Sequence, residues 1–362
     1  MQKIIYEPTF YFNKELKQWQ KYDFKRNFLT TNSLSLASYN VLFDQRNIIK
    51  YITCDKERHL YQLSKLLPSL KTDLIGLSEV TENYIHLILQ QDWIQKDYFI
   101  FNPYKKGGYF GNFIISKLPV RFYAMNNLIF KRIIIGLIIL DHKRPEKCLL
   151  IISAHLTAFE KNYEKRKSQL KVMIESIRNY NNEEDEFSIY FKNAVKNNNI
   201  IIMGDLNFHL TNETNYIYEN DFIDLWLESN QNHHDGYTWD AKKNSLINMF
   251  LPFDTRRMRL DRIIMANRSN HFDLYQQCEI KVFGETKINE RYFSYLTGSD
   301  HYGLQINLKI NEEAKPYVRK VDFEYLNVRD QHSSFFTTLR FQIFFVIVMI
   351  IGVLIIYFML YN

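Results

Sequence analysis

Asp205 and Asn207 are the side chains whose types and spacing best suit chemistry, since they lie two residues apart in Gly204-Asp205-Leu206-Asn207. The preceding residues 200–203 form a short apolar run with β-branched side chains, which predicts a buried strand. Alternate residues of an extended chain point to the same side. A carboxylate that can polarise a water and an amide that can hold a phosphate oxygen would therefore share one small volume. Gly-Asp-x-Asn alone is also a common turn sequence, so the rest of the chain must decide.

Two more polar residues lie at predicted strand ends in the first quarter of the chain. Residues 34–43 alternate as a half-buried strand does and bring Asn40 near its end. Residues 73–77 predict a strand that leads into Glu79, and Thr81 is a candidate N-cap for a helix through Gln91. A carboxylate beside an apolar strand is costly unless it is paired or binds a metal. Glu79 is therefore either a metal ligand or a solvated turn residue.

The same arrangement recurs in the second half of the chain. Residues 133–140 and 148–153 predict an antiparallel hairpin, and His155 follows its second strand. Asp261 lies within a predicted strand at 258–265, and Asp300 and His301 precede a last strand at 304–310. A lone histidine beside a strand is more often a core residue than a catalytic one, so His155 depends on its neighbours for a role.

These residues form one candidate set with the chemistry of a metal-assisted hydrolase. Carboxylates and amides favour Mg²⁺ over zinc. Hydrolysis of a phosphodiester needs a cation, a group that orients or deprotonates water, and donors for the phosphate oxygens. The set contains no serine or cysteine nucleophile signature. Its members are Asn40, Glu79, His155, Asp205, Asn207, Asp261, Asp300 and His301.

Composition indicates a globular chain and leaves its partners open. The 362 residues are 46% hydrophobic and 16% aromatic, ample for a core, and the formal net charge of +6 fits an anionic substrate or an anionic membrane surface. The scattered Cys54, Cys148 and Cys278 indicate neither a disulfide framework nor a structural zinc site, so we expect a reducing compartment. Residues 1–12 lack an apolar signal core, and no secretory signal peptide is expected.

Residues 341–360 predict a transmembrane helix. They contain no charged residue, and twenty helical residues span about 30 Å, the thickness of a bilayer core. A fully buried core helix is the alternative. Basic residues precede the stretch and aromatic residues flank it, which favours a C-terminal tail anchor with the rest of the chain facing the cytosol. The organelle is left open.

Six ordered motifs resemble those of the endonuclease/exonuclease/phosphatase superfamily. They extend over most of the chain before the apolar C-terminal stretch. The motifs are Ser38-Tyr39-Asn40, Leu77-Ser78-Glu79-Val80, Ser153-Ala154-His155-Leu156, Gly204-Asp205-Leu206-Asn207, Leu260-Asp261-Arg262 and Ser299-Asp300-His301. Within the superfamily the chain is most similar to the tyrosyl-DNA phosphodiesterase 2 enzymes, through Gly108-Tyr109-Phe110, the Tyr237-Thr238-Trp239-Asp240 loop and Arg259 to Ile263.

The resemblance implies an α/β (α+β) fold, a four-layer α/β/β/α sandwich of two packed mixed β-sheets, to which the sequence adds one C-terminal transmembrane helix. We expect an N-terminal arm at 1–32 with a short helix around Glu15 to Tyr22. The catalytic domain is expected at 33–310, a juxtamembrane connector at 311–340 and the transmembrane helix at 341–360.

The resemblance also implies roles for the candidate residues around one Mg²⁺, with Mn²⁺ as the alternative ion. Glu79 would ligate the metal with help from Asn40, and Asp300 would complete the metal side of the site. Asp205, supported by Asn207, would orient or deprotonate the attacking water. The charged transition state would be stabilised by His155 and by His301, which Asp261 orients. Substrate binding is assigned to Tyr109, Asn112, His209, Trp239 and Arg262.

The expected substrate is a 5′-tyrosyl or related nucleic-acid phosphodiester, and the protein is expected to be a monomer. At two positions the chain departs from the family's usual residues, and both departures affect the expected substrate or metal binding. The superfamily usually has Leu-Gln-Glu where this chain has Leu77-Ser78-Glu79, and the tyrosyl-DNA enzymes carry an arginine at the position of His209. The main alternative is a phospholipid substrate, as in neutral sphingomyelinases. A phosphoinositide phosphatase ranks lower because the pattern of that group is missing around Asp261, and a non-catalytic scaffold would be expected to have lost site residues.

Overall fold

The structure of this chain is a computed structural model, which describes residues 2–24, 33–45, 49–101, 111–127, 130–141, 144–209, 211–229, 236–266, 275–291 and 294–310. The strands are β1 (Ile4–Glu7), β2 (Thr9–Asn13), β3 (Gln18–Lys21), β4 (Ser33–Asn40), β5 (Leu74–Val80), β6 (Phe99–Phe101), β7 (Gly111–Ser116), β8 (Val120–Asn127), β9 (Phe130–Ile139), β10 (Cys148–Ser153), β11 (Ile200–Asp205), β12 (Phe222–Asp224), β13 (Trp239–Asp240), β14 (Arg257–Met258), β15 (Asp261–Ala266), β16 (Tyr275–Phe283), β17 (Asn289–Arg291), β18 (Ser294–Leu296) and β19 (Gly303–Ile310).

Helices connect many of these strands. They are α1 (Ile49–Ile52), α2 (Asp55–Tyr61), α3 (Leu67–Leu70), α4 (Glu82–Leu89), α5 (Asp92–Asp97), α6 (Tyr163–Arg178), α7 (Ser188–Lys196), α8 (Thr211–Glu219), α9 (Leu225–Glu228) and α10 (Ser245–Phe250). A π-helical turn, Gln62–Leu66, joins α2 to α3. Among the described residues no helix combines the length and apolar character needed to cross a membrane. The predicted span at 341–360 and the predicted connector at 311–340 lie outside the described residues.

Two mixed sheets form the centre of the fold. In the first sheet the strand order is β1-β8-β9-β10-β11-β15-β12, and in the second it is β16-β19-β4-β5-β7-β6-β2-β3. Each sheet contains one parallel pair, β10 with β11 and β4 with β5, among antiparallel neighbours. The predicted antiparallel hairpin of β9 and β10 is confirmed. The expectation of two packed mixed sheets with helices is therefore confirmed.

The two sheets pack face to face at close range around Gly76 of β5. A Cβ added there would lie 2.6 Å from the Met203 side chain of β11 and 3.3 Å from the Ser153 hydroxyl of β10. These contacts show that the two sheet faces lie close together here, so a larger residue at position 76 would have to displace the Met203 side chain. Apolar residues of both sheets form one continuous buried core.

The N-terminal residues do not form the predicted arm, and the helix expected around Glu15 to Tyr22 is wrong. Instead β1 pairs with β8 in the first sheet, while β2 and β3 form a hairpin that pairs with β6 in the second. The reason lies in the turn between β2 and β3, where Asn13 Oδ1 accepts hydrogen bonds from the backbone of Glu15 and Leu16. That local bonding favours a turn over a helix.

Two further sequence predictions are corrected. The sequence places the leucines at 60, 63, 67 and 70 on one inward face of a helix from Glu57 to Leu70. That helix forms, but the π-helical turn rotates its inward face, so Leu60 is 64% exposed instead of buried. The strand predicted at 258–265 is divided into β14 and β15, because β14 pairs with β13 while Leu260 accepts a backbone hydrogen bond from Leu206. By contrast, the apolar spacing of Leu170, Met173, Ile174 and Ile177 predicts an amphipathic helix from Tyr163 to Arg178, and α6 confirms it. The Thr81 cap of α4 is also confirmed.

A buried charge cluster stabilises the far edge of the first sheet. Asp224, fully buried at the end of β12, accepts hydrogen bonds from Arg259 at 2.9 and 3.0 Å and from Arg262 at 2.6 Å. Burial opposes ionisation of Asp224, but the two guanidinium groups outweigh it and lower the pKa of this carboxyl. The carboxylate is therefore fully paired in the folded protein.

We expect Asp224→Asn to destabilise the protein by about 3–5 kcal/mol, the usual cost of removing one partner from a buried ion pair. Urea unfolding at neutral pH, monitored by circular dichroism, would measure this. The matched control is Glu175→Gln, which removes the exposed Lys171–Glu175 pair and should change the free energy of unfolding by less than about 1 kcal/mol. Equal effects of the two changes would contradict the assignment.

Candidate active site

The candidate site lies where strand ends of the two sheets meet. The first sheet contributes His155 just after β10, Asp205 at the end of β11 and Asp261 at the start of β15. The second sheet contributes Asn40 at the end of β4, Glu79 near the end of β5 and His301 just before β19. Asp205 and Asp261 are direct partners in the β11–β15 ladder. The fold thus brings residues that are far apart in sequence to one edge.

Direct hydrogen bonds join the two sheets at this edge. Asn40 Nδ2 donates to Asp205 Oδ2 at 3.0 Å, and His301 Nδ1 lies 2.7 Å from Asp261 Oδ2. His155 Nε2 lies 3.4 Å from Asp205 Oδ2 and 3.8 Å from Glu79 Oε1. His301 Nε2 is 3.8 Å from the same Asp205 oxygen. The Asp205 carboxylate is therefore the centre of the cluster.

The backbone before Asp205 accepts only glycine. Gly204 has a φ of 140°, and a Cβ there would lie 1.9 Å from the Ala154 carbonyl oxygen. The adjacent strand β10 therefore approaches β11 closely at the point where His155 leaves it. The glycine of Gly-Asp-x-Asn sets the separation between His155 and Asp205.

Two site residues adopt left-handed backbone conformations that side chains seldom take. Glu79 has a φ of 63° and Asn207 a φ of 52°. The Phe43 amide donates to Glu79 Oε2 at 3.2 Å, and the Asn207 amide donates to Asp205 Oδ1 at 3.0 Å. Strained conformations of this kind cost about 1–3 kcal/mol and concentrate at functional sites. Both residues with this backbone conformation take part in a hydrogen bond to a cluster carboxylate, Glu79 as the acceptor and Asn207 as the donor to Asp205.

Excess negative charge characterises the cluster. Burial raises the pKa of Asp205 to about 7, and the like charges of Asp261 and Glu79 add to this effect, while His301 and Asn40 oppose it. The pKa of Asp300 is also raised, by burial and by Glu79, although His301 and Arg58 act in the other direction. Crowded carboxylates raise one another's pKa in this way unless a cation lies between them.

For His301, unlike Asp205, the neighbouring charges favour the ionised form of the side chain. Burial disfavours its charged form, but Asp261 and Asp205 outweigh burial and raise its pKa well above the ordinary value. The ring is therefore an imidazolium at neutral pH, held in place by Asp261 and edge-on to Trp239, with ring centroids 5.2 Å apart. It places a positive charge beside Asp205.

Within the described residues, two groups of side chains have ligand atoms close enough to share a metal ion. One consists of Glu79, His155 and Asp205, and the other of Asp205, Asp261 and His301. The first group fits a divalent cation, because its ligand atoms lie within 4.8 Å of one another and the charge of Glu79 adds to burial in raising the pKa of Asp205. In the second group the Asp261 Oδ1 atom is buried without a hydrogen-bond partner, but the charged form of His301 has no free lone pair for a metal. The cationic state of His301 favours the group that contains Glu79.

Comparison with known proteins agrees with this arrangement. A family model described as Endonuclease/Exonuclease/phosphatase family 2 matches residues 131–236. A crystal structure of D. rerio TDP2 complexed with single strand DNA product aligns at a TM-score of 0.54 and 19% identity, covering 77% of this chain and 100% of that chain. Truncated Caenorhabditis elegans TDP2 aligns at 0.55 and 16%, covering 78% and 99%. The chain has the fold of the endonuclease/exonuclease/phosphatase superfamily.

The fold is also found in a protein described as a phosphatase. The Bacteroides thetaiotaomicron mannosyl-6-phosphatase Bt3783 aligns at a TM-score of 0.51 and 14% identity, covering 76% of this chain and 99% of that chain. No curated protein matches the sequence at a significant level. At these identities the comparisons establish the endonuclease/exonuclease/phosphatase fold, which is the resemblance that the six motifs predicted.

The structure places the residues assigned to substrate binding in different settings. Trp239 is half-buried beside His301, and Asn112 is buried at the start of β7. The His209 amide donates to Glu213 at 2.8 Å. Arg262 is buried in its pair with Asp224, so its guanidinium serves the core and does not support the predicted substrate contact. Tyr109 lies outside the described residues.

Some residues that organise the candidate site were not assigned from the sequence. Ser299 Oγ donates to the Asn40 carbonyl at 2.7 Å, and Asn244 Nδ2 donates to the Ser299 carbonyl at 2.9 Å. The Asp261 amide donates to Thr238 Oγ1 at 2.9 Å. Ser299 and Thr238 belong to quoted motifs, but only the fold shows that their side chains bond to other motifs.

Asp261→Asn should lower the pKa of His301, because it removes the nearest negative charge and leaves burial of the ring less opposed. NMR titration of metal-free protein labelled at histidine would measure this. His86 of α4, whose Nε2 lies 3.0 Å from Gln90 Nε2 on the surface, serves as the internal reference. A His301 pKa that stays at its wild-type value would show that Asp261 does not hold the imidazolium.

Proposed function

We propose that the protein is a Mg²⁺-dependent phosphodiesterase that hydrolyses a 5′-tyrosyl or related nucleic-acid phosphodiester. The observation that carries the proposal is the Asp205 carboxylate, buried between two sheets, bonded to Asn40 and flanked by Glu79, His155 and the cationic His301. This arrangement supplies a base, metal-ligating oxygens and a cation around one small volume. Hydrolysis of a phosphodiester requires these three elements.

Glu79 would hold the metal, with Asn40 and Asp300 completing its surroundings. When bound, Mg²⁺ would neutralise charge that develops on the phosphate in the transition state. The raised pKa values of Asp205 and Asp300 support this assignment, since both carboxyls are destabilised by burial and by the charge of Glu79. Mn²⁺ has similar preferences for oxygen ligands and could replace Mg²⁺.

Asp205 would orient the attacking water and accept its proton. Its carboxylate lies within 4.8 Å of ligand atoms of Glu79 and His155, so it could accept a proton beside the residues that would hold the metal. Asn207 supports Asp205 through the hydrogen bond that its backbone N–H donates to Oδ1. The Asn207 side chain donates to the Leu156 carbonyl at 3.2 Å. The other carboxylate oxygen, Oδ2, accepts a hydrogen bond from Asn40 Nδ2. The carboxylate therefore has a fixed orientation toward the cluster.

His301 would stabilise the negative charge of the transition state as a preformed imidazolium. A donor that is already charged and fixed before the reaction needs no reorganisation at the moment of bond breaking. Asp261 provides this fixation through its 2.7 Å contact with Nδ1, which leaves Nε2 directed to the side of Asp205. His155 would add a second nitrogen near the same Asp205 oxygen, with its Nε2 3.4 Å from Oδ2.

A nucleic-acid adduct is favoured as substrate by the similarity to TDP2, of which one structure is described as complexed with single strand DNA product. The half-buried Trp239 beside His301 could stack on a base or a tyrosyl ring. A lipid phosphodiester is the second candidate. Two large aromatic side chains, Phe159 and Phe253, are 69% and 78% exposed, and exposed apolar groups favour contact with a lipid surface.

Full-length protein in detergent should release 5′-phosphate ends from a 5′-tyrosyl oligonucleotide in the presence of Mg²⁺, and EDTA should abolish the reaction. Glu79→Gln should reduce the rate by at least about 100-fold, the size of effect seen when one charge-stabilising contact is lost. Sphingomyelin vesicles tested in parallel distinguish the lipid alternative. Cleavage of sphingomyelin alone would overturn the nucleic-acid proposal, and full activity of Glu79→Gln would overturn the metal assignment.

We further propose that residues 341–360 anchor the protein in a membrane, with the catalytic domain in the cytosol. The support is the uncharged apolar stretch itself and the basic residues before it. Protease treatment of intact microsomes should therefore degrade residues 33–310, as detected with an antibody to that region. Protection of this region until detergent is added would refute the orientation. Release of the intact protein by alkaline carbonate would refute the span.

A further inference from the structure

Arg58 and Gln62 are two buried polar side chains for which the proposed chemistry has no role. They lie one helical turn apart, Arg58 in α2 and Gln62 in the π-helical turn that follows, and neither has any solvent exposure. Arginine is almost never fully buried unless its charge is paired. Helix faces directed to a core are normally apolar. Two buried polar residues at this spacing therefore require a reason.

Both side chains donate to the same two backbone carbonyls. Arg58 Nη1 donates to the carbonyl oxygens of Val41 and Gly298, each at 3.3 Å. Gln62 Nε2 donates to the Val41 carbonyl at 2.9 Å and to the Gly298 carbonyl at 2.7 Å. The two carbonyls are thus held side by side by donors from one helix.

The two carbonyls belong to the segments that carry the site. Val41 directly follows Asn40, and Gly298 lies three residues before His301. Ser299 Oγ donates to the Asn40 carbonyl at 2.7 Å. This bond joins the same two segments, at the residue before Val41 and the residue after Gly298. These bonds determine how far Asn40, on the metal side, lies from His301, on the phosphate side.

The charge of Arg58 is paired on the side away from these segments. Its Nη2 lies 2.6 Å from Asp55 Oδ1, and its Nε donates to the Thr53 carbonyl at 3.0 Å. Thr53 Oγ1 also donates to Asp55 Oδ1 at 2.6 Å. These contacts fix the guanidinium plane, so the direction in which Nη1 donates is also fixed.

We propose that Arg58 and Gln62 are positioning residues, which hold the Asn40 and His301 segments at the separation that catalysis requires. The proposal rests on the proposed function of that site. Neither side chain needs to touch substrate, because each acts through the Val41 and Gly298 carbonyls. A displacement of about 1 Å at a catalytic group can reduce a rate by about 100-fold.

Gln62→Met is the main test, because methionine has a similar size and lacks the amide donor. We expect kcat on the 5′-tyrosyl oligonucleotide to fall by about 10- to 100-fold with little change in KM. The matched control is Gln305→Met. Gln305 is also buried, and its Nε2 donates at 3.1 Å to the carbonyl of Leu70, which belongs to neither site segment. This variant should lose a similar amount of thermal stability and keep its kcat.

Arg58→Lys provides a second, conservative variant. Lysine keeps the charge, but one ammonium group cannot donate to Val41, Gly298, Thr53 and Asp55 in the arrangement of the guanidinium. Its kcat should therefore fall as well, and more than that of Gln305→Met at equal loss of melting temperature. A kcat that follows melting temperature alone across all variants would overturn the proposal and leave a structural role.

Mn²⁺ binding, measured by electron paramagnetic resonance, separates failure of this proposal from failure of the proposed function. Gln62→Met should bind Mn²⁺ more weakly than wild type, because Asn40 would no longer be held in place, whereas Gln305→Met should bind it normally. If wild type is active and Gln62→Met matches it in kcat and Mn²⁺ affinity, the positioning role is wrong. If wild type neither cleaves a phosphodiester nor binds Mn²⁺, the proposed function fails and this role with it.

Discussion

Burial of the Asp205 carboxylate between the two sheets is the constraint on which the site depends. Its Oδ2 accepts a hydrogen bond from Asn40 of the opposite sheet, and its Oδ1 accepts one from the Asn207 amide. Burial and neighbouring carboxylates raise its pKa to about 7, so the ionised form needs positive charge nearby. The imidazolium of His301 supplies part of that charge, and the remainder is the physical argument for a divalent cation.

Two buried aspartates in the first sheet show how the same fold uses charge in opposite ways. Asp224 is bonded to two arginines, and its pKa is lowered because attraction to them outweighs burial. Asp205 accepts hydrogen bonds from the Asn40 side chain and the Asn207 amide but has like-charged neighbours, and its pKa is raised. The first carboxylate is fully compensated and contributes to stability. The second is not, and incomplete compensation is typical of groups that bind metals or exchange protons.

The sequence could predict which residues lie at strand ends because the strands are defined by local apolar patterns. Asn40, Glu79, His155, Asp205, Asp261 and His301 were found in this way, and the structure brings all of them to one edge. It could not predict how the sheets pack across that edge. The Asn40–Asp205 bond joins residues far apart in sequence, and no local pattern encodes it.

Local bonding explains the predictions that failed. The Asn13 side chain turns the N-terminal residues into a hairpin, and the π-helical turn at Gln62–Leu66 changes which side of its helix faces the core. That rotation exposes Leu60 and is accompanied by burial of Arg58 and Gln62. Arg58 and Gln62 lie off the leucine face that the sequence predicts, so their burial was not expected from it. Their role depends on the Val41 and Gly298 carbonyls, which only the fold brings together.

The question of substrate depends on His209. Burial lowers the pKa of this imidazole to about 4, and the charges of Arg166, Arg256 and His301 act in the same direction. The ring is therefore neutral at physiological pH, whereas the tyrosyl-DNA phosphodiesterase 2 enzymes that the chain resembles carry a permanently charged arginine at this position. A neutral ring can form a hydrogen bond but releases no counterion from a phosphate backbone.

We infer that the chain has less electrostatic attraction to long nucleic acid at this position than those enzymes. Arg166 does not replace the missing charge, since Glu213 holds its guanidinium through both carboxylate oxygens. Arg256 is likewise paired, with Asp254. Under the proposed function, recognition at this position would therefore rely more on the scissile phosphodiester and on the group attached to it. A protein-linked or short adduct satisfies that requirement better than extended DNA, since it presents its reacting phosphate without a long backbone to be bound.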